Sequence, residues 1–137
     1  MPPPLAPHRY QPMSALSHIR LLKLREASGP NLAYDLIETP LDVAPAYESI
    51  SYVWGDHKKT HTLALLSTQT VLSITPSLEN ALLHVCPQSQ TGYLWIDQIC
   101  IDQDNTTERS QQVGIMGKIY SKAQRVLIWL GNGFADL

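Results

Sequence analysis

The chain has 137 residues, 44% of them hydrophobic and 16% charged, which is the composition of one globular domain and excludes a disordered protein. Ten Lys and Arg residues stand against 12 Asp and Glu residues without a basic cluster, so we expect no nucleic-acid partner. No apolar run approaches the roughly 20 residues of a membrane span, and no signal-peptide pattern opens the chain. We therefore expect a cytoplasmic protein with no membrane partner.

Residues 1–17 are rich in proline and lack periodicity, which predicts a flexible N-terminal segment before a domain at residues 18–137. Alternating or β-branched apolar residues then predict five strands. These strands span residues 19–24, 33–38, 47–54, 63–66 and 71–74. Turn residues at 28–31 and 67–70 join the first two strands, and the last two, as hairpins.

Two helices and two further strands are predicted in the second half of the chain. Thr75 and Pro76 have the residue types of an N-cap and a first helical position. Apolar residues recur on one face of that helix, at Leu78, Ala81, Leu82 and Val85. Asn105 and Glu108 form a capping-box-like start of the second helix. Its buried face is predicted to hold Val113, Met116, Gly117 and Tyr120, and the strands are predicted at 93–97 and 126–130.

From residue 47 the predicted order is β–α–β–α–β, which is typical of a parallel sheet with right-handed crossovers. The predicted fold class is α/β, with a mainly parallel sheet, flanking helices and an N-terminal β-hairpin. Because few residues follow strand 126–130, we expect a domain truncated at its C-terminus. Without a covering helix, Leu127 or Trp129 is expected to be exposed.

Asp97 and Asp102 are placed where a strand ends and a loop begins, which is where α/β sheets bind ligands. They could orient a polar group, such as a ribose hydroxyl, or hold a metal. The alternative, which we favour, is that they cap turns and accept hydrogen bonds from backbone N–H groups.

The histidine and cysteine patterns are weak indications of chemistry. His57 and His61 stand four residues apart beside Asp56, but no third ligand is evident, so no metal site is predicted. Cys100 lies between two isoleucines and is expected to be a buried thiol, reduced like Cys86.

Two charged residues at the start of the second helix are expected to interact with the helix dipole. Glu108 suits the positive end of the helix dipole, and no further role is predicted for it. Arg109 is unfavourably placed there, which indicates a partner: either Asp102 or Asp104 in a surface ion pair, which we favour, or an anionic ligand. Trp54 is the tryptophan best placed to line a pocket.

Three blocks of the sequence resemble the fungal heterokaryon-incompatibility (HET) domain. Residues 47–56 read YESISYVWGD and are similar to the family's YEALSYVWGD, and residues 94–103 read LWIDQICIDQ and are similar to LWIDAICINQ. Residues 108–131 are similar to ERSQQV..M..IY..A..V..WLG. The blocks stand in family order, and the resemblance covers about residues 18–133. Gln98 replaces the usual alanine, and Asp102 replaces the usual asparagine.

The resemblance implies a Toll/interleukin-1 receptor (TIR)-like, flavodoxin-like fold and a role in fungal non-self recognition and cell-death signalling. Its partners would be further copies or other HET and TIR-like proteins. Some TIR-like domains cleave NAD with a helical glutamate, which in HET domains would come from a block after residue 137. NAD is thus the candidate substrate or ligand, and no catalytic residue is assigned. The candidate ligand pocket comprises Ser51, Trp54, Asp56, Asp97, Asp102 and Arg109.

Overall fold

The computed structural model describes residues 5–28, 31–52, 55, 57–131 and 134–136. Within these ranges nine strands form one sheet. They are β1 (Ala6–Pro7), β2 (His18–Ser28), β3 (Asn31–Pro40), β4 (Glu48–Tyr52), β5 (His61–Leu65), β6 (Thr70–Ile74), β7 (Tyr93–Trp95), β8 (Arg125–Trp129) and β9 (Phe134–Asp136). Their order across the sheet is β1-β6-β5-β3-β2-β7-β4-β8-β9.

Three α-helices lie in the described ranges: α1 (Pro76–Val85), α2 (Asp97–Cys100) and α3 (Thr106–Lys122). Short 3-10 helices span Leu41–Val43 and Cys86–Gln88. The strand predicted over 93–97 therefore ends at Trp95, and a single helical turn follows from Asp97.

A parallel unit of three strands, β7-β4-β8, forms the centre of the second half. From β4 the chain passes through the β5–β6 hairpin and α1 to β7, and then through α2 and α3 back across β4 to β8. α1 and α3 pack in two separate hydrophobic clusters on opposite faces of this unit, as right-handed crossovers in opposite directions require. This local order, with the first strand between the second and the third, is the one with which flavodoxin-like sheets begin.

Both faces of this unit are covered by apolar side chains. Ile50, Leu94 and Leu127 pack on the α1 side, with Leu78 and Leu82 of that helix. On the opposite face, Trp95 of β7 and Tyr47, the residue just before β4, pack on the α3 side with Ile119. The period-two alternation of each strand thus supplies two hydrophobic cores.

The α/β class is confirmed, but the sheet is more mixed than predicted. The predicted hairpin exists as β2 and β3, with Leu22 opposite Leu36. It is not an appendage, because β2 also pairs antiparallel with β7 at Leu22 and Leu94. The first hairpin therefore extends the parallel unit through antiparallel pairing. The second hairpin, β5 and β6, continues the same sheet, because β5 pairs in parallel with β3.

The predicted N-cap and buried face of α1 are confirmed. Thr75 Oγ1 accepts a hydrogen bond from the Leu78 N–H at 3.2 Å, Pro76 occupies the first turn, and the four predicted apolar residues are buried. The predicted face of α3 is wrong in part. Val113 is 58% exposed and Gly117 is exposed, while Glu108, Gln112 and Ile119 are buried. Two of the three buried positions of this helix hold polar side chains. A prediction from apolar residues alone therefore assigned the buried face to an adjacent side of the helix.

The expected exposure of β8 is also wrong. Leu127 and Trp129 are only 2% and 6% exposed. β9 pairs antiparallel with β8, placing Phe134 opposite Trp129 in register. The Trp129 ring also stacks on His84 of α1, with 4.4 Å between centroids. The helix that precedes β7 therefore covers this end of β8.

The proline-rich N-terminal segment contacts the domain. β1 pairs in parallel with β6, placing Ala6 opposite Thr70. The Tyr10 hydroxyl donates a hydrogen bond to the Ile99 carbonyl at 2.6 Å, and the Gln11 carbonyl accepts one from Arg20 at 2.8 Å.

Candidate functional site

The carboxyl ends of the parallel strands bring together two of the predicted pocket residues. Ser49 of β4 is in register with Trp95 of β7, so Ser51 and Asp97 each lie two residues farther along, at the same edge of the sheet. Both are half-buried. Burial, and after it the nearby charge of Asp97, raises the pKa of Tyr52 and of Tyr120. A serine, a carboxylate and two protonated phenols thus lie around this edge.

Trp54 and Asp56, the predicted pocket residues after β4, lie outside the described residues. Gly55 between them is described, and its φ of +64° is one that side chains disfavour. A Cβ at this position would lie 2.8 Å from Ser77 Oγ, so the chain passes close over the first turn of α1. This position therefore favours glycine on two independent grounds.

Asp102 lies at the other end of α2, where it organises a turn. Its Oδ1 accepts a hydrogen bond from the Asp104 N–H at 3.2 Å, and its own N–H donates to Glu108 at 2.6 Å. Asp102 therefore has the turn-capping role that we favoured for it from the sequence. Arg109 is exposed, and in the described ranges its side chain makes no ion pair, so the predicted pairing with Asp102 or Asp104 is wrong.

Glu108 has a partner that sequence patterns did not reveal. Its two carboxylate oxygens each accept a hydrogen bond from Arg20 at 2.7 Å, and both side chains are almost fully buried. Arg20 also donates to the Cys100 carbonyl at 3.2 Å, and its guanidinium lies 4.8 Å from the centre of the Tyr10 ring. Burial lowers the pKa of Arg20, but the hydrogen bond and charge of Glu108 outweigh it and raise the pKa overall. The predicted restriction of Glu108 to a helix-dipole role is therefore wrong.

Glu48, the second residue of the first block, is fully buried at the amino end of β4. It accepts hydrogen bonds from the hydroxyls of Ser89 and Thr91 at 2.6 and 2.8 Å, and from Arg125 at 3.0 Å. Burial pushes its pKa upward, but these bonds and the Gln90 N–H outweigh it and hold the pKa below the ordinary value. With these partners, the Glu48 carboxylate links β4 to β8 and to the loop that precedes β7.

A cavity of about 230 Å³ lies between the N-terminal segment, β6 and the α2 turn. Gln98 reaches it while only 4% exposed. Its Oε1 accepts two long hydrogen bonds, each 3.5 Å, from the N–H and hydroxyl of Thr75. Its Nε2 has no partner among the described residues. The full lining is Pro7, His8, Tyr10, Lys59, Val71, Leu72, Ser73, Gln98, Ile99, Ile101, Asp102, Gln103 and Asp104.

The thiols are placed as predicted. Cys86 and Cys100 are both free and buried. Burial raises the pKa of Cys100 to about 12, so its thiol stays protonated and is a poor nucleophile. His57 is exposed, and His61 on β5 lies 3.8 Å from a carboxylate oxygen of Glu79. Across the described ranges, no three His, Cys, Asp or Glu side chains are grouped to hold a metal ion.

The family model described as Heterokaryon incompatibility protein (HET) matches residues 47–137. The chain belongs to the HET family. A Neurospora crassa protein, "Heterokaryon incompatibility protein 6, OR allele", is 39% identical over 133 residues. That match covers 88% of this chain and 20% of the relative, so the chain spans about a fifth of that protein's length. No solved structure matches the chain, and the TIR-like fold stays a prediction.

The HET match begins at Tyr47 and so contains the parallel unit with α1 and α3. Arg20 and Tyr10 lie before it, which is why the three blocks gave no sign of the buried pair. The two departures from the HET blocks, Gln98 and Asp102, line the same cavity. None of the α-helices in the described part of this HET protein combines the length and hydropathy needed to span a bilayer.

Proposed function

We propose that this protein acts in fungal heterokaryon incompatibility, as a non-self recognition module that signals toward cell death by TIR-like self-association. Membership of the HET family and the printed name of its Neurospora relative support the incompatibility role. In this proposal residues 18–137 are the N-terminal part of a HET domain, and residues 1–17 are a segment preceding it.

The outer face of α3 is the observation that carries the self-association proposal. Val113 is more than half exposed, and Gly114 and Gly117 beside it are exposed with open space where a Cβ would stand. Helices approach closely where small residues line the contact, and an apolar side chain among them gains by leaving water. We propose that α3 of one copy packs on a neighbouring copy through this face.

Sedimentation of the purified chain over a concentration series tests this contact. Val113→Lys should weaken association at least tenfold, because a lysine ammonium at the contact must lose water. Leu83→Lys, a similar change at an exposed position on α1, is the matched control and should leave association unchanged. Equal weakening by both variants, or a wild-type chain that stays monomeric throughout, would contradict the α3 contact.

The alternative is an NAD-cleaving TIR-like hydrolase whose catalytic glutamate lies beyond this chain. The half-buried Asp97 beside Ser51, at the carboxyl edge, favours it as a site for ribose hydroxyls. The glutamates near the sheet do not replace the missing residue. Glu48 lies at the opposite edge and Glu108 is held by Arg20.

Nicotinamide release from NAD tests whether this chain is catalytic on its own. The 137-residue chain alone should release none above a buffer blank. Release that Asp97→Asn abolishes, while a Glu79→Gln control retains it, would establish the hydrolase and set aside the non-catalytic proposal for this chain.

A further inference from the structure

We propose that the cavity beside Gln98 binds a small, uncharged ring compound that carries a hydrogen-bond acceptor next to a donor, the chemistry of an aminated nucleobase. The proposal goes beyond signalling and self-association, because the cavity lies under the N-terminal segment and not on the outer face of α3.

The buried amide of Gln98 sets the first requirement on the ligand. The backbone N–H of Thr75 can only donate, so the Gln98 atom facing it must be Oε1, and Nε2 is then directed elsewhere. That Nε2 belongs to a side chain 4% exposed and has no partner among the described residues. A buried N–H without a partner costs about 1–3 kcal/mol. A ligand with a carbonyl oxygen or ring nitrogen at this point would remove that cost.

Charges at the rim set the second requirement. Asp102 and Asp104 line the cavity against one ammonium, that of Lys59. Burial, and then the charge of Arg20, lowers the pKa of His8, so its imidazole is neutral at pH 7. The lining therefore carries a net negative charge, which disfavours phosphates and carboxylates. The carboxylates suit a ligand that presents N–H or O–H donors on its outer side.

The walls and volume set the third requirement. Rings of Pro7 and Tyr10 and the side chains of Leu72 and Ile99 supply apolar surface. The cavity volume of about 230 Å³ is below the range for drug-sized ligands, roughly 300–1,000 Å³. One heterocyclic ring system with an acceptor and an exocyclic amine satisfies all three requirements.

Titration of the isotopically labelled wild-type chain with adenine, followed by NMR, tests the proposal without any substitution. Adenine should shift the side-chain amide of Gln98 and the backbone amides of Leu72 and Ile99, with a dissociation constant in the millimolar range expected for so small a ligand. AMP, which adds a ribose and an anionic phosphate and so exceeds both the charge and the size that the cavity accepts, should bind at least fivefold more weakly. Absence of shifts at these amides, or equal binding of AMP, would overturn the proposal.

Two variants assign the contacts. Gln98→Leu keeps a side chain of similar size but removes the amide donor, and should weaken adenine binding at least fivefold. Gln124→Leu, the same change at an exposed glutamine bonded to Gln90, is the control and should bind as the wild type does. Asp102→Asn keeps the oxygen that accepts from Asp104 and should weaken binding two- to threefold. Unchanged affinity in both cavity variants would contradict the assignment, and Asp102→Asn decides it if Gln98→Leu does not fold.

Discussion

Two fully or nearly fully buried glutamates hold distant parts of this chain together. Glu108 joins the start of α3 to Arg20 on β2, across 88 residues, and Glu48 joins β4 to Arg125 on β8, across 77. Buried carboxylates are tolerated only where partners replace lost water. Each of these carboxylates accepts several hydrogen bonds, so each stabilises the packing of the elements that it joins.

Removal of one partner of the buried pair should be severe. Arg20→Met leaves the Glu108 carboxylate without its bidentate partner and should lower the free energy of unfolding by about 3–5 kcal/mol. Urea denaturation of the purified chain measures this change. Arg109→Met, one position beyond Glu108 and exposed, is the matched control and should stay within about 0.5 kcal/mol. A loss for Arg20→Met no larger than for this control would show that the pair contributes no stability.

The double variant refines this prediction. Arg20→Met with Glu108→Leu leaves no unpaired charge, so it should be more stable than Arg20→Met alone. A double-mutant cycle should therefore give a favourable coupling energy between the two side chains. Additive losses would contradict direct pairing.

Glu48 should make stability depend on pH under acidic conditions. Because its pKa in the folded chain is below the ordinary value, the folded state binds fewer protons than the unfolded state. The contribution of Glu48 to the free energy of unfolding is therefore complete above the pKa of an unfolded glutamate, about 4.3. It is lost as the pH falls through the lower pKa that Glu48 has in the folded chain. Glu48→Gln should be less stable than wild type at pH 7 and should lose less stability on acidification.

Urea denaturation between pH 7 and pH 3 checks this dependence. Glu79→Gln, at a partly exposed position on α1, serves as the control and should keep the wild-type dependence. An unchanged pH dependence in Glu48→Gln would assign the acid sensitivity to other carboxylates, such as Asp35 and Glu38, whose pKa values are also held down.

At the scale of elements, local signals predicted structure well where every cue agreed. For α1 the N-cap, the proline and the apolar stripe all indicated one helix that begins at Pro76, and the structure confirms that start and the buried face. For α3 the cap was confirmed, because Asn105 Oδ1 accepts from the Glu108 N–H at 3.0 Å. Its buried face was not, because Glu108 and Gln112 are bonded to β2, at Arg20 and at the His18 carbonyl. Periodicity of apolar residues cannot identify a polar residue whose partner is distant.

Two alanine substitutions test the corrected face of α3. Ile119 is fully buried, so Ile119→Ala should lower the free energy of unfolding by about 2–5 kcal/mol. Val113→Ala, at the exposed position that apolar periodicity had placed inside, is the matched control and should change it by less than about 0.5 kcal/mol. Chemical denaturation measures both. A larger loss at Val113 than at Ile119 would restore the face predicted from periodicity.

At the scale of the molecule, the alternation of strands and helices after residue 47 was sufficient to predict the parallel unit. It could not place β2 and β3, because antiparallel pairing with β7 depends on contacts about 70 residues apart. The candidate site was predictable only in part. Ser51 and Asp97 share an edge because parallel strands end together, whereas Arg109 and Asp102 depend on side-chain partners that no local pattern specifies.

The N-terminal segment is the part of the molecule where sequence and contacts indicate different behaviour. Its proline content predicts flexibility, yet Tyr10 and Gln11 both contact Arg20, and Tyr10 also bonds to Ile99. These contacts shield the buried ion pair from water and strengthen it.

Deletion of residues 1–12 should therefore destabilise the chain without unfolding it. The loss of a hydrogen bond to a charged group, a neutral hydrogen bond, a cation–π contact and the pairing of β1 with β6 should lower the free energy of unfolding by at least about 2–4 kcal/mol. Tyr10→Phe, which removes only the hydroxyl that bonds to Ile99, should give an intermediate loss of about 1 kcal/mol. Urea denaturation of the three proteins measures the series. Equal stability of all three would mean that the segment is flexible and contributes nothing to the stability of the fold.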